Sequence, residues 1–380
     1  MRVLFQYFSG GGGGLSNIIL LLKAYAREFD QDDLIVVCSE DSDLNQLSSF
    51  HNITIVGVPV GRFKEWTRLL LGLWRLKKIA SKYKVDVVWS INLGSYFRLP
   101  VPNLLALNNA HQVYPWAITK FHPASPLRVA LLRQFFRLSI KVADAVLVQT
   151  PLMADYVKRI KGTPRSIFVV PKAVERSSDV QEAKLPETLS RKFDLARQEG
   201  FRLWLYVATA LPHKNHKVLF KAFSELYNKR SSDCLVLTIS EEEAISVEGI
   251  DIKPLIKRGR LIFTGWVKKE YLRAIYDACD ACVMPSLLES LSSTHLEAME
   301  WKKPQIVADL PYARDLCGDA ALYVDPFNSS AWADAILMLG ARVLLQQELI
   351  IKGRVKIAEY PQDWSDCARR VREKIILLIG

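Results

Sequence analysis

Two glutamates, Glu289 and Glu297, stand a short distance apart in the sequence and enclose a run of small hydroxyl side chains. The last three residues of this run are Ser292, Ser293 and Thr294. A carboxylate accepts hydrogen bonds from two neighbouring hydroxyl groups at once, so the diol of a sugar or ribose suits either glutamate. A hydroxyl side chain here predicts a capped helix start, whose first-turn amides face an anion. The alternative interpretation is that Glu289 lies in a turn and Glu297 on an exposed helix, with no ligand bound to either.

A second candidate site is the basic turn at residues 211–217, which contains Lys214 and follows an apolar run. A lysine in such a turn can reach a diphosphate and form a strong ion pair where water is partly excluded. A solvated basic turn without a ligand is the alternative. His213, His216 and His295 raise the question of a metal. No carboxylate accompanies them at ligand spacing, so we expect no metal.

Five consecutive glycines occupy positions 10–14, between an apolar run at 3–8 and an amphipathic run at 16–29. Glycines at this place allow the backbone to approach an anion, and the start of the following helix favours negative charge. The run also fits the glycine pattern of dinucleotide sites, because a run made only of glycines matches any glycine spacing within it. Because no acid follows the second strand pattern at the right place, we expect no nicotinamide cofactor. A flexible turn without a ligand is the alternative.

The elements that must position these residues alternate between short apolar runs and helical patterns. The runs typical of buried strands are 3–8, 34–38, 53–56, 85–90, 104–108, 145–149, 167–170, 204–208, 235–239, 261–263, 281–284 and 305–308. Strands that alternate with helices predict parallel sheets covered on both faces. Residues 175–200 are polar and without a strand pattern, which predicts a linker. We therefore expect an α/β chain of two Rossmann-like domains, with ligands at the carboxyl ends of the strands.

Length, charge and cysteine usage narrow the class of protein. A chain of 380 residues exceeds one ordinary hydrophobic core, so two domains are expected. The formal net charge of +11 favours an anionic partner, but no nucleic-acid-binding motif is present and no nucleic acid is expected. No apolar run is long enough to cross a membrane, and the first residues do not read as a signal peptide. Six scattered cysteines indicate a reduced, cytoplasmic protein.

Basic side chains concentrate in the segment 62–84, where lysines and arginines outnumber the single acid Glu65 and alternate with tryptophan and leucine. A basic helix of this composition can lie in a membrane interface with its cations on anionic headgroups. A core-facing helix with a solvated basic face is the alternative. The first interpretation predicts a peripheral position on the inner face of a membrane.

Two further motifs suggest other chemistry. Asp41 and Asp43 form an Asp-x-Asp pair after an apolar run, as in metal-dependent transferases of a different fold. In that case a chelator would abolish activity. Cys279 and Cys282 have the spacing of a redox or zinc motif, but without a second pair we expect buried thiols.

Taken together, the motifs resemble the retaining glycosyltransferases of family four, which have the GT-B fold. The similarity extends over nearly the whole chain. Besides the two glutamates, it rests on residues 143–150, 169–175, 285–286, 297–299, 309–311 and 318–326, and on Trp364 before a terminal helix. The resemblance implies two Rossmann-like domains facing each other across a cleft, at 1–180 and 181–362. It also implies that 363–380 forms a helix crossing back to the first domain.

The resemblance implies a reaction and roles for the matching positions. A sugar would pass from a nucleotide sugar to a glycan or lipid-linked acceptor, with retained configuration and without a metal or cofactor. Glu297 would bind the ribose and Glu289 the transferred sugar, and Lys214 would hold the diphosphate. His111, which otherwise reads as a structural residue, would lie near the reaction centre. The catalytic candidates are His111, Glu289 and Lys214; the donor-binding candidates are Glu297, Lys214, Ser292, Ser293, Thr294, Gly12, Gly13 and Gly14.

The sequence departs from the family pattern at two places. Ala208 and Thr209 replace the usual glycine-arginine pair, so one cation for the diphosphate is missing and Arg314 is a candidate to supply it. Residues 290–292 replace a glycine-phenylalanine-glycine loop, which changes the freedom of the backbone. A sugar-nucleotide-binding subunit without catalytic activity is therefore the alternative function.

Overall fold

The computed structural model describes residues 1–8, 13–59, 74–115, 119–122, 124–164, 166–174, 184–247 and 249–380. The chain forms two compact units. The first consists of Met1–Lys120, Ala124–Ala173 and Pro361–Gly380, and the second of Phe121–Pro123 and Val174–Tyr360. The domain boundaries read from the sequence, 180 and 362, lie a few residues further along the chain.

The described strands, in chain order, are β1 (Arg2–Gln6), β2 (Asp33–Ser39), β3 (Ile53–Val58), β4 (Val87–Ile91), β5 (Asn103–Leu107), β6 (Ala145–Val148), β7 (Ser166–Val169), β8 (Arg202–Tyr206), β9 (Asp233–Leu237), β10 (Leu261–Phe263), β11 (Ala281–Met284), β12 (Gln305–Ala308) and β13 (Leu322–Val324). Each run predicted as a strand corresponds to one of these. β13 lies within residues 318–326, where the family resemblance indicated a strand.

The described α-helices, in chain order, are α1 (Gly13–Glu28), α2 (Leu76–Tyr83), α3 (Pro126–Val142), α4 (Pro151–Lys158), α5 (Glu187–Gln198), α6 (His216–Asn228), α7 (Glu241–Ile245), α8 (Lys253–Lys257), α9 (Lys269–Ala278), α10 (Ser293–Glu300), α11 (Pro311–Cys317), α12 (Ser329–Ala341), α13 (Val343–Ile357) and α14 (Trp364–Ile379). Short 3₁₀ turns span Asp43–Ser49, Ala110–Gln112 and Pro212–Lys214.

The first unit contains a parallel sheet of seven strands in the order β3-β2-β1-β4-β5-β6-β7. Alternate residues of each strand point to opposite sides of the sheet. Both sets include buried apolar side chains, so both faces of the sheet are apolar. Val3 and Phe5 belong to the core under α1 and α14, whereas Leu4 belongs to the core under α2. The strands therefore read as continuous apolar runs in the sequence.

Helix α14 is part of the first unit although it ends the chain. It packs against α1, and its Arg372 donates from Nε to Oδ2 of Asp32 at 2.7 Å. Tyr25 of α1 donates to the same carboxylate at 3.0 Å, and the terminal amine of Met1 lies 3.2 Å from its other oxygen. Asp32 is buried, so this network satisfies a carboxylate that would otherwise be unpaired in the core.

The second unit contains a parallel sheet of six strands in the order β10-β9-β8-β11-β12-β13. The fold class predicted from the sequence, two α/β domains of the Rossmann type, is confirmed by the two sheets. The interpretation of residues 175–200 as a linker is wrong for α5. Leu189, Phe193 and Ala196 are buried at helical spacing in that segment, and the polar residues between them form the outer face of α5.

Within the described residues, no helix has the length and apolarity needed to cross a membrane. Of the basic segment 62–84, residues 62–73 lie outside the described part of the chain. The remainder forms α2, which buries Leu76 and Ala80 and exposes Lys77 and Lys78. Helix α2 is therefore a core-facing helix with a solvated basic face.

Candidate active site

The order of strands in the second sheet reverses between β8 and β11, which lie side by side. The chain runs from β8 into β9 on one side, and β11 is followed by β12 on the other. The carboxyl edge of the sheet at such a reversal is the place where ligands bind in folds of this kind. The basic turn and the two glutamates predicted from the sequence both lie at this edge.

Hydrogen bonds hold the loops after β8 and β11 together. Leu287 N donates to the carbonyl oxygen of His213 at 2.7 Å. The side-chain amide of Asn215 donates to the carbonyl oxygens of Pro285 and Pro326, at 3.2 and 2.7 Å. Asn215 has a φ of 56°, a left-handed conformation that asparagine tolerates better than most residues. Asn215 fixes the turn that carries the lysine, and no sequence pattern pointed to this role.

Lys214 and Glu289 form an ion pair, with 2.5 Å between Nζ and Oε1. Their side chains are 19% and 14% exposed, so water screens the pair weakly. Burial acts to raise the pKa of Glu289, but the charge and hydrogen bond of Lys214 outweigh it, and the net effect lowers the pKa. The carboxylate is therefore ionised at neutral pH. Tyr206 supports the lysine by donating to its carbonyl oxygen at 2.6 Å.

The three histidines around this pair are neutral at neutral pH. Burial, followed by the charge of Lys214, lowers the pKa of His213 to about 4 and that of His216 to about 3. Burial also lowers the pKa of His295 to about 4, against the opposing effect of Glu289. In the described ranges, no group of three or more histidine, cysteine or carboxylate side chains is placed to hold a metal ion.

Glu297 lies on α10 and is half-buried. Tyr276 of α9 donates to its Oε2 at 3.3 Å and lies the same distance from the carbonyl oxygen of Thr294. Burial, followed by the Glu297 carboxylate, raises the pKa of Tyr276, so the phenol keeps its proton. Tyr276 therefore positions Glu297 as a hydrogen-bond acceptor. The sequence offered no signal for this residue, which reads as one apolar position on the buried face of α9.

The serine at the start of α10 does not cap the helix with its side chain as predicted. Ser292 is the N-cap residue, but its side chain makes no hydrogen bond to the first-turn backbone. Instead its Oγ lies 2.8 Å from Nδ1 of His295 and 3.0 Å from Oγ1 of Thr294. The expected side-chain cap is therefore wrong, because the buried imidazole competes for the hydroxyl. The backbone amides of Ser293 and Thr294 therefore donate no hydrogen bond to the Ser292 side chain.

The remaining candidates lie in the first unit. His111 is in the 3₁₀ turn Ala110–Gln112 after β5, and its side chain is buried. Its carbonyl oxygen accepts a hydrogen bond from Arg133 at 3.1 Å. Gly13 and Gly14 are the first residues of α1, and Gly12 lies outside the described residues.

Arg314, the candidate for the missing cation, makes a bidentate pair with Asp309, at 2.6 and 2.8 Å. Its charge is therefore matched by a carboxylate in the turn before its own helix, α11. Ala208 stands where the family has the glycine of its glycine-arginine pair, and its backbone N donates to the hydroxyl of Thr238 at 3.1 Å.

The structure describes the surroundings of the two motifs that suggested other chemistry. Ser42, between Asp41 and Asp43, accepts a hydrogen bond from Leu44 N and caps the turn that follows. Cys279 and Cys282 are free and buried, as predicted. Burial raises the pKa of both thiols and keeps them protonated.

Comparisons with known proteins agree with this fold. The family model "Glycosyl transferases group 1" matches residues 189–356, and the model "Glycosyltransferase Family 4" matches residues 12–178. Together the two models cover most of both units. The chain therefore belongs to the family-four glycosyltransferases with the GT-B fold.

Relatives of known activity match at low identity. The O-antigen chain mannosyltransferase RfbU of Salmonella typhimurium is 24% identical over 60% of this chain and 58% of its own length. The alpha-monoglucosyldiacylglycerol synthase of Streptococcus pneumoniae is 22% identical over 85% of this chain and 75% of its own. The match with RfbU thus spans less than two thirds of that protein.

Solved structures match over the whole chain. HepE of Anabaena in complex with UDP has a TM-score of 0.71 and 17% identity, and each chain is covered completely. Sucrose-phosphate synthase of Thermosynechococcus elongatus has a TM-score of 0.72 and 17% identity, over 99% of this chain and 98% of its own. At this identity, the likeness extends to the fold.

Proposed function

We propose that the protein is a retaining, metal-independent hexosyltransferase that moves a sugar from a nucleoside diphosphate sugar to an acceptor hydroxyl. One observation carries the proposal. Lys214, Glu289 and the start of α10, with Glu297 in the same helix, are assembled at the carboxyl edge of the second sheet, where its strand order reverses. This edge offers a cation, free helix amides and two carboxylates, which match a diphosphate and two diols.

In this proposal, each part of the donor has a partner. Glu297, oriented by Tyr276, accepts hydrogen bonds from the ribose hydroxyls. Lys214 has three donor hydrogens, so it can hold a phosphate oxygen while it keeps its contact with Glu289. The amides of Ser293 and Thr294 add the partial positive charge of the helix start. HepE of Anabaena, which shares the fold, binds UDP and UDP-glucose, and this supports a nucleotide sugar as donor.

The transfer itself requires stabilisation of the leaving diphosphate. The bond between the anomeric carbon and the phosphate oxygen breaks while the acceptor oxygen bonds to the same face of that carbon. The proton of the acceptor hydroxyl passes to the leaving phosphate oxygen. Lys214 and the helix amides stabilise the charge that develops there. Glu289 is ionised and paired with Lys214, which favours contact with the transferred sugar over a role as a covalent nucleophile.

His111 and Gly12–Gly14 enter the proposal through the family resemblance. His111 is proposed to act near the reaction centre, and the glycines to border the phosphates or the acceptor. The relatives that make O-antigen chains and a glucosyl glycolipid support an acceptor that belongs to a surface polysaccharide or glycolipid. We therefore propose a cytoplasmic protein that attaches peripherally to an anionic membrane, with the basic segment 62–84 as one contact.

Calorimetry of donor binding tests the proposal. Uridine, guanosine and thymidine diphosphate sugars are titrated into the full chain in the absence of metal. We expect one donor to bind, and Glu297→Gln to weaken it by about 10- to 100-fold, because hydrogen bonds to a charged group contribute roughly 1.5–3 kcal/mol. Glu348→Gln, on the exposed face of α13, is the matched control and should leave the affinity unchanged. Equal affinity of the Glu297→Gln protein would remove this glutamate from the donor site.

The substitution at Thr209 favours a second candidate function, a subunit that binds a sugar nucleotide without turnover. The family arginine is absent there, and Arg314 is already paired with Asp309. Slow hydrolysis of the bound donor distinguishes the two functions, because a transferase with water as acceptor releases nucleoside diphosphate. A donor that binds and is never cleaved, with or without acceptors, would favour the binding subunit.

A further inference from the structure

A second basic site lies in the first unit, between α3 and α4. The two helices border a half-open cavity of about 520 Å³ beside the turn that carries His111. Five cationic side chains line it: Arg133, Arg137, Lys141, Arg159 and Lys161. The described residues that line the cavity include no acid. These residues belong to the first unit, whereas the proposed donor site belongs to the second.

The cations of α3 form a stripe along one face of the helix. Arg133, Arg137 and Lys141 are spaced by four residues, so they follow one another over a length of about 12 Å. The sequence of α3 contains no acid. The one acid of α4, Asp155, is exposed and pairs with Lys158 at 2.9 Å. In the described part of the chain, no carboxylate forms an ion pair with the five cations of the cavity, so their charge is uncompensated.

Arg133 is held in place at the inner end of the stripe. It donates to the carbonyl oxygens of His111 and Tyr114, at 3.1 and 2.6 Å. Burial, followed by repulsion from Arg137, lowers its pKa. Arg159 is also oriented, since its guanidinium lies 5.0 Å from the centre of the Tyr156 ring. An anion in the cavity would meet cations that are already ordered, and it would relieve their repulsion.

Next to the basic stripe, α3 exposes leucines to solvent. Leu127, Leu131 and Leu138 are 72%, 49% and 40% exposed. At about 100° per residue they share a narrow sector of the helix, adjacent to the cations and opposite to the face that is buried in the core. A row of exposed leucines flanked by lysine and arginine is typical of helices that lie in a membrane interface. A small soluble anion would use the cations and leave the leucines without a role.

We propose that the cavity between α3 and α4 binds the phosphate groups of anionic lipids, while Leu127, Leu131 and Leu138 enter the acyl boundary. The cations attract the negative surface and the cavity takes individual headgroup phosphates. This inference rests on the proposed membrane attachment and assigns to it a surface other than residues 62–84. It places a lipid headgroup beside the turn of His111, on the unit that would receive the acceptor.

Vesicle sedimentation tests the inference. Full-length protein is mixed with vesicles of phosphatidylcholine, with and without phosphatidylglycerol. Arg137→Gln/Lys141→Gln should bind the anionic vesicles about 30-fold more weakly than the wild type, since each cation near an anionic surface contributes a factor of roughly five to six. Lys257→Gln/Arg258→Gln removes the same charge from an exposed site in the second unit. This control should bind as the wild type does, and equal melting temperatures show that both proteins fold.

Leucine variants separate lipid insertion from simple attraction. Leu131→Ser/Leu138→Ser should lower vesicle binding by about tenfold or more without a change in net charge, whereas Leu344→Ser, at an exposed position of α13, should not. Calorimetry with inorganic pyrophosphate supplies the soluble probe. If Arg137→Gln/Lys141→Gln loses pyrophosphate binding but keeps its affinity for vesicles, the cavity serves a soluble phosphate compound and the lipid assignment is overturned.

The outcomes also separate this inference from the proposed membrane attachment. If the wild type ignores anionic vesicles at low salt, the attachment itself is wrong, and the lipid site with it. If the wild type binds and Arg137→Gln/Lys141→Gln binds equally well, the attachment stands and the cavity between α3 and α4 is not its site.

Discussion

Replacement of Lys214 by methionine tests the electrostatics of the candidate active site. Methionine fills a similar volume but removes the partner of Glu289, which is 14% exposed. In the wild type, Lys214 lowers the pKa of Glu289, so the pair stabilises the fold above the ordinary pKa of a glutamate. This contribution is lost as the pH falls through the lowered pKa. In the variant, burial acts without the opposing cation and raises the pKa.

The magnitude follows from the proton that the variant can bind. An unpaired buried carboxylate is unfavourable, but Glu289 can become neutral instead. Protonating a glutamate with an ordinary pKa of about 4.3 costs about 3.7 kcal/mol at pH ~7 and about 1 kcal/mol at pH ~5. These values set the scale of the destabilisation by Lys214→Met. We therefore expect a loss of about 3 kcal/mol near neutral pH that shrinks to about 1 kcal/mol near pH ~5.

The assay is urea unfolding of the full chain, followed by deuterium exchange of the amides in β8 and β11. Exchange read by mass spectrometry reports on the second unit separately, which is necessary because a chain of two units need not unfold in one step. Arg314→Met is the matched control, since it breaks an exposed ion pair with Asp309. It should have little effect and no trend between the two pH values.

A second variant identifies the cause of the loss. Lys214→Met/Glu289→Gln removes both charges and should regain most of the stability, because no carboxylate is left unpaired. A loss in Lys214→Met that is the same at both pH values, or one that Glu289→Gln does not relieve, would contradict a buried, coupled pair.

Two further predictions concern residues that hold the units together internally. Asn215→Ala should destabilise the second unit by about 2–3 kcal/mol, because it loses two hydrogen bonds and places alanine in a left-handed conformation. Asn215→Gly should lose less stability, since glycine adopts this conformation without strain. Equal losses of stability for the two variants in the same assay would exclude backbone strain as a cause. Arg372→Met should destabilise the first unit by about 2 kcal/mol near neutral pH, since it removes one partner of buried Asp32. The pKa of Asp32 is lowered in the fold despite burial, so this loss should shrink as the pH falls, and exchange of the β1 and β2 amides should report it.

The fold class and the position of the candidate site could be predicted from the sequence because both depend on local patterns. Strands buried on both faces are short apolar runs, and the sequence shows them at nearly the observed bounds. Lys214 and Glu289 each follow such a run, so both were expected at the carboxyl edge of a sheet. Helix α5 was missed because its polar outer face dominates the composition of its segment.

The family resemblance assigned the ribose to Glu297 and gave His111 a role near the reaction centre, whereas the local pattern suited a diol to either glutamate and no pattern singled out His111. The resemblance also predicted a terminal helix at 363–380, and in the structure this segment belongs to the first unit. The proposed roles themselves stay predictions for the experiments above.

Tertiary structure decided which side chains meet. Lys214 and Glu289 are 75 positions apart in the chain, and they form a pair because β8 and β11 are neighbours in the sheet. The same adjacency brings Asn215 to the carbonyl oxygen of Pro285, and the packing of α9 brings Tyr276 to Glu297. The sequence by itself determined the elements and the chemistry available at their ends. Only the folded sheet determined the contacts, because hydrogen bonds and ion pairs depend on distances that separation along the chain does not reveal.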